Sequence, residues 1–102
     1  MIELALFVQL EAQPGKEQVV ADFLAAALEM ANQEAGTPIW FALRLSPTTF
    51  GIFDAFSTEA DRQTHLNGAI AQALMAKAPE LLAAPPQIQA IDVLGVKNIT
   101  AV

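Results

Sequence analysis

Residues 38–57 read Pro-Ile-Trp-Phe-Ala-Leu-Arg-Leu-Ser-Pro-Thr-Thr-Phe-Gly-Ile-Phe-Asp-Ala-Phe-Ser. Two alternating runs flank a break. In the first, Ile39, Phe41, Leu43 and Leu45 oppose Trp40, Ala42 and Arg44. In the second, Phe50, Ile52, Asp54 and Phe56 oppose Gly51, Phe53 and Ala55. Period-2 alternation is the mark of a strand, and Ser46-Pro47-Thr48 between the runs is turn chemistry. The stretch therefore predicts an antiparallel hairpin.

Toward the N-terminus, residues 2–11 alternate again, with Ile2, Leu4, Leu6, Val8 and Leu10 on one side, and Gln13-Pro14-Gly15 breaks the run. From Lys16 to Glu34 the period lengthens. Val20, Phe23, Leu24, Ala27, Leu28 and Ala31 form one apolar stripe, predicting an amphipathic helix with Gly36 as its C-terminal cap. Beyond the hairpin, Thr58-Glu59-Ala60-Asp61 resembles a capping box, with Asp where Glu or Gln is usual. A helix is expected from there past His65, pausing at Asn67-Gly68 and resuming over 69–78. Pro79 is expected to begin a last short turn, closed by Pro85-Pro86, and residues 87–96 alternate as a fourth strand. The order β-α-β-β-α-β predicts an α+β, ferredoxin-like fold, a four-stranded antiparallel sheet with helices on one face. It fills residues 1–102 as a single domain, the size expected of a chain of 102 residues.

Hydrophobic residues make up 54% of the chain and charged ones 16%, a balance that argues against disorder. The strands carry bulky apolar side chains on both faces, yet helices on one side can hide only one of them. A bare apolar sheet of that size is unusual in water, so a second copy of the chain is expected to cover it. Five Lys and Arg against eleven Asp and Glu give a net charge of −6, which removes the driving force for nucleic-acid binding. With no Cys there are no disulfides, thiolate metal sites or Cys nucleophiles. The Met-Ile-Glu-Leu-Ala-Leu start has no basic region of a signal peptide, and the apolar runs are too short to span a membrane. A cytoplasmic protein without membrane partners is expected.

Several short elements occur in an order shared with one family. They are Gln13-Pro14-Gly15-Lys16-Glu17, Glu34-Ala35-Gly36-Thr37, Trp40 with Arg44, Phe53-Asp54-Ala55-Phe56, and His65-Leu66. Together they make the chain similar, over nearly its whole length, to the antibiotic-biosynthesis-monooxygenase, or quinol-monooxygenase-like, family. That resemblance implies a dimeric α/β barrel, a homodimer with a substrate cleft between each sheet and its helices. It implies oxidation of quinols, anthrones or similar electron-rich aromatics by O2 with no bound cofactor. Asp54 stands where the family usually has Glu, and Phe56 where it has Trp. The haem-degrading branch uses an Asn on strand one and a Trp on strand three; neither strand here has one, which disfavours haem degradation.

His65 is the only His and the one side chain expected to titrate near neutrality. Its functional role is as a catalytic base that forms an electron-rich anion for O2, with Asp61, four residues earlier, orienting it. Its bland role is a surface His paired with Asp61. Asp54 interrupts an apolar strand face, so it is either an ion-pair partner of Arg44 or a base or acceptor in the cleft. In the family reading Trp40, Ile52 and Phe56 line the substrate and Arg44 with Asp54 anchors it. Asp92, interrupting the fourth strand, is assigned to an interface or to solvent. One His without Cys leaves no metal site. Two other functions use the same frame. One is a non-catalytic small-molecule-binding or assembly module; the other is a cofactor-free isomerase or lactone-processing enzyme working without O2.

Overall fold

The computed structural model describes residues 1–97. Its elements run β1 (Leu4–Glu11), α1 (Glu17–Ala26), α2 (Leu28–Asn32), β2 (Ile39–Arg44), β3 (Thr49–Phe56), α3 (Glu59–Leu66), α4 (Ala69–Leu81) and β4 (Gln87–Asp92). The strands lie in the order β2-β3-β1-β4, all neighbours antiparallel, as the β-α-β-β-α-β reading requires. Registers Leu6↔Asp54↔Trp40 and Phe7↔Phe53↔Phe41 fix which residues share a face.

The first of these faces is the helix-covered one. Val8, Leu10, Phe50 and Ile52 pack there against Val20 and Leu24 of α1 and Leu74, Ala78 and Leu81 of α4. A second cluster joins Ala27 and Ala31 to Ile70, with Met30 and Trp40 against it. No helix among the described residues is long and apolar enough to cross a membrane. The opposite face carries the Phe7–Phe53–Phe41 row. Phe41 and Phe53 stack at 6.5 Å, and Phe41 remains 54% exposed.

Four local expectations change. The helix expected over 16–34 is interrupted at Ala27, whose N–H is shared between the carbonyls of Phe23 and Leu24 (3.0 and 3.2 Å). Its second segment stops at Asn32, and Gly36 lies beyond it with no positive φ, so Gly36 is not its cap. Pro79 does not start a new turn but sits inside α4. Gln13 Nε2 donates to the carbonyls of Pro79 and Leu82 (3.1 and 3.0 Å), tying that helix end to the β1–α1 loop. The fourth strand ends at Asp92 rather than Val96, because its partner β1 begins at Leu4, opposite Asp92. The Thr58 cap does form, its hydroxyl accepting from the Asp61 N–H at 3.1 Å.

Candidate active site

Asp54 is the only acidic residue among the described buried ones, 0% exposed in the middle of β3. A lone carboxylate there would cost several kcal/mol, so its surroundings must supply a cation. The cation comes from α3. The Thr58 cap and the helical turn that follows turn His65 back onto the sheet, where Nε2 lies 2.8 Å from Asp54 Oδ2. The contact is a close ion pair without the alignment of a hydrogen bond, and Asp54 Oδ1 has no hydrogen-bond partner. The Phe56 ring, fully buried, tilts against the imidazole with centroids 5.4 Å apart.

The other ring nitrogen is held by a residue that the alternation pattern gave no reason to choose. His65 Nδ1 is 2.6 Å from Glu34 Oε1, and that same oxygen accepts from the Thr37 hydroxyl at 2.8 Å. Glu34 follows α2 through two tight turns, Gln33 N–H to the Met30 carbonyl and Glu34 N–H to the Ala31 carbonyl. These swing its side chain toward α3. Two glycines allow the approach. A β-carbon on Gly36 would stand 2.8 Å from Asp61 Oδ1, and one on Gly68 would meet the His65 and Thr64 carbonyls at 3.2 and 3.3 Å.

His65 thus bridges two carboxylates. Burial works against its charge, but the close contacts with Asp54 and Glu34 and their negative charges outweigh it and raise the imidazole to about 9. At neutral pH the ring is an imidazolium. The cluster borders a cavity of about 560 Å³ between α2 and α3, whose wall includes Glu34, Gly36, Thr37, Asp61, Thr64 and His65. Among the described residues no group of three or more His, Asp or Glu side chains is spaced to hold a metal ion.

A protein of unknown function from Nitrosomonas europaea superposes with a TM-score of 0.96 at 57% identity, covering 99% of this chain and 98% of its own. The chain belongs to that protein's family. Two proteins provisionally described as antibiotic biosynthesis monooxygenases share the fold at lower identity. One, also from Nitrosomonas europaea, matches at 18% with a TM-score of 0.80 and 90% coverage of each chain. The other, from Deinococcus radiodurans, matches at 20% with a TM-score of 0.76, covering 96% of this chain and 99% of its own. The fold is therefore that of the antibiotic biosynthesis monooxygenases. No family model and no curated protein matches the sequence.

Within this fold the expected site residues divide. His65 and Asp54 meet, with Phe56 behind them, and His65 and Asp61 both border the cavity. Asp61 does not orient the imidazole, because Glu34 and Asp54 occupy both ring nitrogens; it packs against Gly36 instead. Arg44 does not pair with Asp54. It stands opposite Phe50, four residue pairs along the sheet, with its guanidinium 4.7 Å over the Phe50 ring, and lines a separate hollow of about 190 Å³. Trp40 faces Asp54 across the register, its Nε1 buried without a partner, and Ile52 lies in the core. Trp40, Ile52 and Phe56 are not among the residues that line the cavity beside His65. Asp92 is exposed at the end of β4. Glu34 is the residue that sequence reasoning missed. Its only signal was the Glu34-Ala35-Gly36-Thr37 stretch, where a glycine beside polar residues leaves room for another element to approach.

Proposed function

We propose that this protein is a cofactor-independent monooxygenase that oxidises a quinol-like or polyketide-type aromatic substrate with O2, the cavity beside His65 being its cleft. The observation that carries this reading is the Asp54–His65–Glu34 line, which runs from the buried sheet to the cavity wall. Such a line can take a proton from an acidic phenol or from a CH2 activated by a neighbouring aromatic carbonyl. The resulting anion gives one electron to O2, and the two radicals join as a peroxide. Loss of water turns CH2 into C=O, so one oxygen atom enters the product, the other leaves as water, and the four electrons balance.

In the same reading two copies pair through the face bearing Phe7, Phe41 and Phe53, because a partly exposed aromatic row beside Ile39, Leu43 and Ile91 favours burial. Sedimentation at micromolar concentration is expected to give a dimer, and Phe41→Glu a folded monomer. An oxygen electrode with a reduced naphthoquinol tests the chemistry. The parent is expected to consume O2 faster than autoxidation, Asp92→Asn to match it, and His65→Gln to fall by about 100-fold. Equal rates in the parent and His65→Gln would remove the cluster from the reaction.

A second reading, a non-catalytic binding or assembly module, draws support from the two occupied ring nitrogens, an arrangement suited to a structural pin. It predicts saturable binding of an aromatic ligand with no oxygen uptake.

A further inference from the structure

We infer that the group that takes the substrate's proton is Glu34, through Oε2, and that His65 is a fixed cation that positions Glu34 and stabilises the anion left behind. This rests on the cleft reading above and names the atom that does its first step.

His65 spends Nδ1 on Glu34 Oε1 and faces Asp54 Oδ2 with Nε2, so no ring nitrogen is turned to the cavity with a pair to offer. Glu34 Oε1 receives two donors, the imidazole and the Thr37 hydroxyl. Among the described residues no donor reaches Oε2. That atom lies 3.4 Å from the place a Gly68 β-carbon would occupy, and Gly68 lines the cavity together with Glu34 and Thr37. Two donors on one oxygen fix the plane of the carboxylate and leave the other oxygen aimed where the glycine has cleared space. Asp61 also borders the cavity, but no side-chain hydrogen bond holds its carboxylate among the described residues. Asp54 is sealed beneath the imidazole.

The step balances as a proton transfer. The substrate O–H breaks, the proton bonds to Oε2, and the electron pair stays on the substrate oxygen. Glu34 becomes neutral while His65 keeps its charge, so the attraction of the imidazolium passes to the new phenolate and Asp54 remains its counter-ion. The charges facing His65 are those of Asp54 from β3 and Glu34 from the loop after α2. Asp61 lies one turn away on α3, and Arg62 beside it is paired with Glu59. The raised imidazole agrees with this division of roles, since a ring already protonated accepts nothing.

Binding of 4-nitrophenol, whose anion absorbs in the visible, tests the assignment without oxygen chemistry. Below the probe's own pKa the parent is expected to bind it as the anion, and Glu34→Gln to bind it neutral, with the bound anion reduced by at least about tenfold. Thr37→Val removes a donor from the carboxylate, which makes Glu34 the stronger base, and is expected to lower the apparent pKa of the bound probe. If Glu34→Gln does not fold, Glu34→Asp, which withdraws the carboxylate by one methylene, gives the same loss. Undiminished ionisation in the folded Glu34 variant overturns the inference, as does loss confined to His65→Gln. A parent that binds no probe overturns both the inference and the cleft. An ionised bound probe with no oxygen uptake overturns only the oxygenase reading.

Discussion

Asp54 and Asp92 look alike in the sequence, each a single carboxylate interrupting an apolar alternation. Both fall on the helix-covered face, Asp54 opposite Leu6 and Asp92 opposite Leu4. Asp54 lies on β3, flanked by β1 and β2 and roofed by α3; Asp92 ends the edge strand β4 in solvent. The first therefore needs a counter-charge and recruits the only His, while the second is hydrated and needs none. An acidic residue in a strand marks a site only where the sheet order and a covering helix deny it water, and neither can be read at the residue itself.

The contrast is broken most strongly at His65. His65→Ala leaves Asp54 buried without its cation and is expected to cost about 3 to 5 kcal/mol in urea unfolding. Adding Asp54→Ala to it should recover part of that loss. A smaller effect comes from pH alone. The folded-state imidazole titrates at about 9, above the 6.5 of an unperturbed His, so folding binds the proton more tightly than the unfolded chain does. The stabilisation is fully present below pH 6.5 and is lost as pH rises through about 9. A urea midpoint series from pH 6 to 10 should fall by an amount equivalent to roughly 3 kcal/mol. Asp92→Asn should be the smallest change, within about 0.5 kcal/mol. A loss at Asp92 as large as that at His65 would erase the distinction.

The hairpin at 39–56 was legible because alternation on both strands and a Ser-Pro turn agree about it, and β1 and the first turns of α4 were legible for similar local reasons, but not the end of α4 beyond Pro79. The strand end at Asp92 was not, since it is set by where the partner β1 begins. The interruption at Ala27 was not either, because a run of alanines keeps helical periodicity whether or not its hydrogen bonds are shared. At the site, alternation singled out Asp54, and rarity singled out His65. Glu34 lies between a helix and a strand, where no period constrains its side chain, and it joins the cluster only when α3 folds over it. Asp61 satisfied the i, i+4 rule for a helical partner of His65, but the rings of a buried helix face take their partners from the elements beneath them.

The bare α-carbon of residue 36 has a consequence for charge as well as for space. Adding one methyl there would wedge the strap that carries Glu34 away from α3, lengthening the imidazole's shorter contact and admitting water to it. Gly36→Ala changes no ionisable group, yet it should lower the basicity of His65, so the protonation of the cluster is governed in part by a residue that contributes no side chain at all.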